Sequence, residues 1–465
     1  MIALYSKIQI NDNFIIPYGN MCFVYEKSGD EKLHSLCIDL EQTLKIDYEG
    51  FAHKIRKVLE EFVLHEESKR RIIESGMKYN PQTTRERITT EIIKGEKAYG
   101  DLLVDLCMAS ENQDLFKEII VKHFNLPETI SQEVLTSRLK EYILGILLFA
   151  SKNSHSGEKS QDLTPDDGTC RKYMKMLYNL LSAYYGNTVK YDGGKLPIGD
   201  YYPIPKALCR EHGVYLPEGK HLYVRQGESN PEFYIFSSAD KSIKETQQRD
   251  IETIKKLWTD NFDFPQNVIP QSSFISNKNG EDFRFWIYPL PSFPQSLTDD
   301  FIDSISNDDK MRLIKGIVRG VASMHNAEPP FYHRSLSPSS FLVCRIKNGI
   351  KPFLVNFDCV KDTDSDAAFT VLYAVGEKVE NAENPELLFA PELLDDELID
   401  SEDVDWAKVD IFALGKTILK ILTNSYIIPS EKPENINSEQ FSLIAAMCDE
   451  SPEKRPDISK ISNIF

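Results

Sequence analysis

The sequence predicts an α+β protein in which an all-helical block separates two strand-containing parts. Two observations carry this. Apolar residues recur at helical spacing from Asp47 to Tyr185, and short aromatic and β-branched runs bounded by polar turns lie on either side. The predicted parts are a short β-rich segment over 1–44, a helical bundle over 45–187, a linker over 188–199 and a mixed part over 200–465.

In the first segment, MIALYSKIQI, NMCFVYEK and LHSLCIDL read as short strands, separated by Asn11-Asp12-Asn13 and Ser28-Gly29-Asp30. From Asp47 the period becomes helical. Phe51, Ile55, Val58, Leu59 and Phe62 share one face, and Asp47 is placed to cap that helix. Further helices are expected over 85–108, 113–124, 131–150 and 168–185, with the polar run 151–168 as a loop. The Gly/Pro-rich stretch Tyr191–Gly199 reads as the linker. HLYVRQGE and EFYIFSS, joined through Ser229-Asn230-Pro231, read as an antiparallel strand pair, and FRFWIYPLPSF as a further strand. Helices are expected from Phe301 onward.

Composition excludes several classes. A net charge of −18 argues against a broad surface for nucleic acid or anionic membrane. The eight cysteines include no C-x-x-C pair, which argues against a zinc ribbon or redox dithiol and for free thiols in a reducing cytoplasm. The first residues lack a basic run followed by an apolar core, so no signal peptide is expected there. The longest apolar stretch, Tyr142–Ala150, is too short to span a bilayer.

The most informative stretch is Phe331–Val343, FYHRSLSPSSFLV. It resembles the protein-kinase catalytic loop H-R-D-x-x-x-x-N. His333, Arg334, Leu336 and Pro338 match, whereas Ser335 stands for the catalytic Asp, Ser337 for the frequent Lys and Ser340 for the metal-binding Asn. Asn356-Phe357-Asp358 stands where the family has D-F-G, and Ala390-Pro391-Glu392 resembles A-P-E. Asp410 in VDIFALGKTILKIL matches the aspartate that binds the catalytic-loop backbone, and Gly415 the glycine that follows it. Arg455 in SPEKRPDISKI matches the partner of the A-P-E glutamate. The resemblance covers residues 200–465 and implies a bilobal fold, with a small lobe over 200–290 and a large lobe over 291–465.

The lost positions are the ones that carry chemistry. Phosphoryl transfer needs a lysine on the phosphates, oxygen ligands for magnesium and an aspartate for the substrate hydroxyl. No G-x-G-x-x-G is present, and the strand lysine's position falls on Phe236, Ser237 or Ser238. Lys241 and Lys244 lie nearby in a polar turn, and Asp250 or Glu252 falls near the helix glutamate of the family. Serine at 335 cannot act as a base at neutral pH without its own activating base, and a hydroxyl at 340 is a weaker magnesium ligand. The resemblance therefore implies a pseudokinase, catalytically impaired and acting as a regulatory or scaffolding module. No cofactor is expected. ATP with magnesium would enter through Asn356 and a displaced carboxylate such as Asp358 or Asp362, with Lys241 or Lys244 on the phosphates, which is the alternative of an atypical nucleotide-binding transferase.

The helical block resembles HEPN-type bundles, through FAHKIRKVLEEFV and through Asn153 and His155 before the last helix. That resemblance implies self-association or a protein partner through the bundle, in a prokaryotic defence or stress context. It also implies a second alternative, a ribonuclease or toxin controlled by the C-terminal part. The family's ribonucleases carry an Arg a few residues before the His, and no Arg stands there before His155.

Overall fold

A computed structural model describes residues 7–11, 14–17, 19–76, 80–95, 98–152, 165–216, 220–227, 230–238, 273–276, 284–357, 359–362, 375, 379–380, 384–394 and 404–465. The chain is α+β and divides into two compact units, one built on Met1–Pro203 and the other on Ile204–Ser276 with Glu281–Phe465.

In the first unit, strands β1 (Lys7–Asn11) and β2 (Phe14–Pro17) form an antiparallel hairpin. The next two stretches, expected as strands, are helices α1 (Phe23–Ser28) and α2 (Glu31–Leu44). The spacing explains the correction. Leu33, Cys37, Leu40 and Leu44 recur at steps of four and three and are fully buried, which is one helical stripe. Asp30 caps the start of α2 by accepting from Leu33 N–H at 2.9 Å. Polar turns between short apolar runs suggest strands; the apolar period decides for a helix.

Helix α3 (Tyr48–Glu74) is the axis of this unit. Its cap is the expected one: Asp47 accepts from Gly50 N–H at 2.8 Å, and a Cβ at Gly50 would stand 2.7 Å from that carboxylate. Phe51, Ile55, Val58, Leu59 and Phe62 are fully buried, each contributing roughly 1.5–3 kcal/mol of apolar transfer. The single helix expected over 85–108 is two, α4 (Pro81–Ile93) and α5 (Tyr99–Ala109). Gly95, at φ +71°, takes the left-handed conformation that ends α4. Helices α6 (Gln113–Phe124), α7 (Gln132–Lys152) and α8 (Asp167–Tyr185) follow. The stretch 188–199, expected as the linker, packs on this unit. Leu196 and Ile198 are buried, and Lys45 Nζ donates to Leu196 O at 3.0 Å. Asn20 and Asp192 exchange two hydrogen bonds, at 2.9 and 3.0 Å.

The second unit opens with helix α9 (Lys206–Glu211) and an antiparallel sheet. Strands β3 (Lys220–Gln226), β4 (Pro231–Ser238), β5 (Ser273–Ser276) and β6 (Arg284–Leu290) lie in the order β3-β4-β6-β5. The short strand β7 (Pro294–Ser296) leads to helices α10 (Asp299–Ser304) and α11 (Asn307–His325). Strand β8 (Phe331–Tyr332) pairs with β11 (Lys361–Asp362). Between them, β9 (Phe341–Ile346) pairs with both β7 and β10 (Gly349–Leu354). Helix α12 (Trp406–Thr423) is the buried axis of the C-terminal part, followed by α13 (Ser438–Met447) and α14 (Ile458–Ile464). A Cβ at Gly415 would meet Cys448 Sγ at 2.8 Å, so this glycine sets how closely α12 and α13 approach. Among the described residues, no helix is long and apolar enough to cross a membrane.

One buried acid ties the N-terminal hairpin and α1 to the bundle. Glu41 on α2 is 1% exposed and accepts from the backbone N–H of Asn20 at 2.7 Å and of Met21 at 3.2 Å. Burial pushes its carboxyl up to about 7, against the pull of those two N–H groups. The folded state therefore holds this proton at pH values where the unfolded chain, near 4.5, has lost it. The corresponding stability is fully present below pH 4.5 and is lost as pH rises through about 7. The neighbouring Cys22 thiol, raised to about 11 by burial, does not titrate in this window. The Glu41→Gln variant keeps one acceptor oxygen for the two N–H groups and sets an amide NH2 against the other, so it should lower stability at every pH, and because it does not titrate it should remove the pH 5 to pH 8 decline from the melting curve of this unit, worth about 2–3 kcal/mol in wild type. Thermal melts that decline equally in wild type and variant would overturn the assignment.

Candidate functional site

The site is assembled around Asp410, one turn into α12 and fully buried. Asp405 caps that helix through Lys408 N–H at 3.2 Å. Asp410 Oδ2 accepts from His333 N–H at 2.6 Å and Oδ1 from Arg334 N–H at 2.7 Å. His325 Nε2, at the end of α11, lies 2.9 Å from Oδ2, in reach for a ring N–H to donate to that oxygen. Arg334 sits at φ +64°, a left-handed conformation that costs a non-glycine residue about 1–2 kcal/mol. The strained residue is the one whose N–H is the second to meet the carboxylate, and charge-assisted bonds of this kind offset its cost.

His333 is buried, and its Nε2 lies 2.7 Å from Asn356 O. Its ring lies 6.5 Å from that of the fully buried Phe357. The loop is thus tied to α12 by its backbone and to the chain after β10 by its first side chain. Arg334 turns its guanidinium onto Trp406, 4.4 Å above the ring centre. Among the described residues no carboxylate stands within ion-pair distance of it. Burial pulls its pKa down to about 10, with Asp410 opposing the shift.

Of the serines in the loop, Ser340 and Ser337 have their hydroxyls engaged within it. Ser340 is fully buried; its Oγ accepts from Ser337 N–H at 3.2 Å and donates to Ser335 O at 3.4 Å. Ser337 Oγ lies 2.8 Å from Ser339 Oγ, and Ser335 is 7% exposed. Position 236 is a buried Phe whose ring stacks on Tyr223 at 4.1 Å. Asp358, the displaced carboxylate, lies outside the described residues, as do Lys241, Lys244, Asp250, Glu252, Asn153 and His155. Among the described residues no group of three His, Cys, Asp or Glu side chains is placed to hold a metal ion.

Glu392 and Arg455, far apart in sequence, form a bidentate pair at 2.6 and 2.8 Å. All five donors of Arg455 are used, the others on Lys408 O at 3.1 Å, Asp449 O at 2.8 Å and Glu450 O at 3.1 Å. The guanidinium also lies 4.9 Å over Phe412, and its side chain is fully buried. Sequence reasoning missed His325 and Trp406. The signal for Trp406 was its place one turn before Asp410; His325 gave none, since its role depends on where α11 ends relative to α12.

No family model matches the chain, and no curated protein matches it.

Replacing Arg455 by Ala should destabilise the second unit by about 3–5 kcal/mol, because a carboxylate and three carbonyls lose their donor in a buried site. Urea unfolding monitored by tryptophan fluorescence measures this. An unchanged midpoint would show that the pair does not hold the unit together.

Proposed function

We propose that the chain is a pseudokinase: a protein-kinase-like second unit that serves as a regulatory or scaffolding module and transfers no phosphate. The observation that carries the reading is the state of the loop 333–340. Its frame is held by Asp410, while the positions that would carry a base and a metal ligand are serines bonded to one another. The order of elements supports the same reading. A strand sheet, a short junction, two helices, the His333-Arg334 loop, a strand pair, Asn356-Phe357 and a buried core helix follow one another. The Glu392–Arg455 pair joins the region before α12 to the segment after α13, as the A-P-E resemblance implies. Removing one charge-placing group from a phosphoryl-transfer site costs about 3–4 kcal/mol of barrier. Here the strand lysine, the base and two metal ligands are replaced together.

The helical unit is the part that would meet a protein partner or a second copy, in the cytoplasm. Leu144 and Leu148, four residues apart on α7, are 50% and 43% exposed and support this use.

Titration with ATP, ADP and GTP, each with and without magnesium or manganese, tests the reading. A ligand that binds only the folded state raises its melting temperature by mass action. No metal-dependent shift and no phosphoryl transfer are expected at millimolar nucleotide. A metal-dependent shift lost on Asn356→Ala, accompanied by autophosphorylation or nucleotide transfer, would replace the scaffold reading with that of an atypical transferase.

A further inference from the structure

The strand-rich and helical parts of the second unit are joined by the chain at Pro291–Ser296. A fold of two parts joined by one strand can turn about that strand by changing a few backbone torsions. In this protein a second stretch of chain is bonded to the same place. Residues His212–Tyr215, between α9 and β3, run along β7. Ser296 N–H donates to Gly213 O at 3.0 Å. Ser296 Oγ accepts from Tyr215 N–H at 2.8 Å and donates to Tyr215 O at 3.1 Å. Gln295 Nε2 donates to His212 O at 3.0 Å. From these contacts we infer that His212–Tyr215 is a built-in strap that locks the junction, so that the two parts of the unit keep one arrangement.

The sequence suits that role at each position. Gly213 sits at φ +73°, and a Cβ there would stand 3.1 Å from Gln295 Oε1, so a side chain would be both strained and crowded. Val214 anchors the strap with 1% exposure, and its N–H is taken by Cys209 O at 2.8 Å. Ser296 is 5% exposed, so its hydroxyl has little access to water as a competing partner. Pro291 and Pro294 fix φ on the junction itself. From the opposite strand, Cys344 Sγ donates to Ser292 O at 3.5 Å. Phe293 packs edge-on against Phe233 of β4 at 5.5 Å and against the His212 ring at 6.3 Å. Turning the two parts would break the strap, the β7–β9 ladder and this aromatic contact together. The inference rests on the strap alone and does not require the pseudokinase reading.

Two measurements on the full chain test it: hydrogen exchange, and single-molecule energy transfer between dyes at the exposed positions Asn230 and Lys460. Wild type should give slow exchange at the Tyr215 and Ser296 amides and one narrow distance distribution. In Ser296→Ala, exchange over 213–216 and 294–297 should rise tenfold or more and the distribution should broaden, with protection of α12 unchanged. Should Ser296→Ala fail to fold, Gln295→Leu, at a half-buried position, removes one strap bond and should shift both readouts in the same direction. A broad distribution already in wild type, or one as narrow in the folded variants as in wild type, would overturn the lock.

Discussion

A buried carboxylate that must be satisfied organises the C-terminal half of this protein. Asp410 lies on the core helix with no exposure to water, and an ion there is tolerable only with donors aimed at it. The donors come from two places: the loop 333–334 and the end of α11. The three elements are therefore fixed relative to one another by the needs of one charge. The left-handed backbone at Arg334 begins directly after the second of these amides, where the chain turns away from the carboxylate. His333 then carries the constraint onward to Asn356 O and so to the chain beyond β10.

Arg455 solves the same problem from the cationic side. Its five donors meet a carboxylate and three carbonyls, and Phe412 covers its face. Both buried charges are thus fully engaged in holding chain segments together. The contrast lies in the loop 333–340, where the neutral Ser340 hydroxyl closes on the loop's own backbone. On the proposed reading this is the expected pattern for a frame that outlives its chemistry. Buried structural charges are costly to remove singly, whereas charges that faced a ligand can be lost without unfolding the protein.

Legibility in the sequence followed the range of the forces involved. The α3 stripe and the Asp47 cap were readable because period and capping act within one or two turns. Over 20–44 the polar turns between short runs point to strands, although Leu33, Cys37, Leu40 and Leu44 carry the helical period. Gly95 divided a helix that periodicity alone ran together. At the site, Asp410, Glu392 and Arg455 were legible through motif order, which records long-range contacts indirectly. The packing of 188–199 on the first unit and the strap at Gly213 were not, because each depends on a surface supplied by distant chain.

Arg334 carries the argument one step further. Its N–H serves Asp410 and its backbone sits at φ +64°, and any residue able to adopt that conformation could supply both. Glycine would do so without strain. The arginine side chain is therefore not explained by the turn. It is 7% exposed, and its pKa is pulled down because burial leaves the cation incompletely compensated. The indole of Trp406 supplies part of the compensation, since a desolvated cation over a tryptophan face gains about 2 kcal/mol. A strained backbone and a buried cation coincide in one residue, and an aromatic ring on the core helix answers the second as Asp410 answers the first. The loop is thus held to α12 at two points, one ionic and one aromatic, and neither depends on a bound nucleotide.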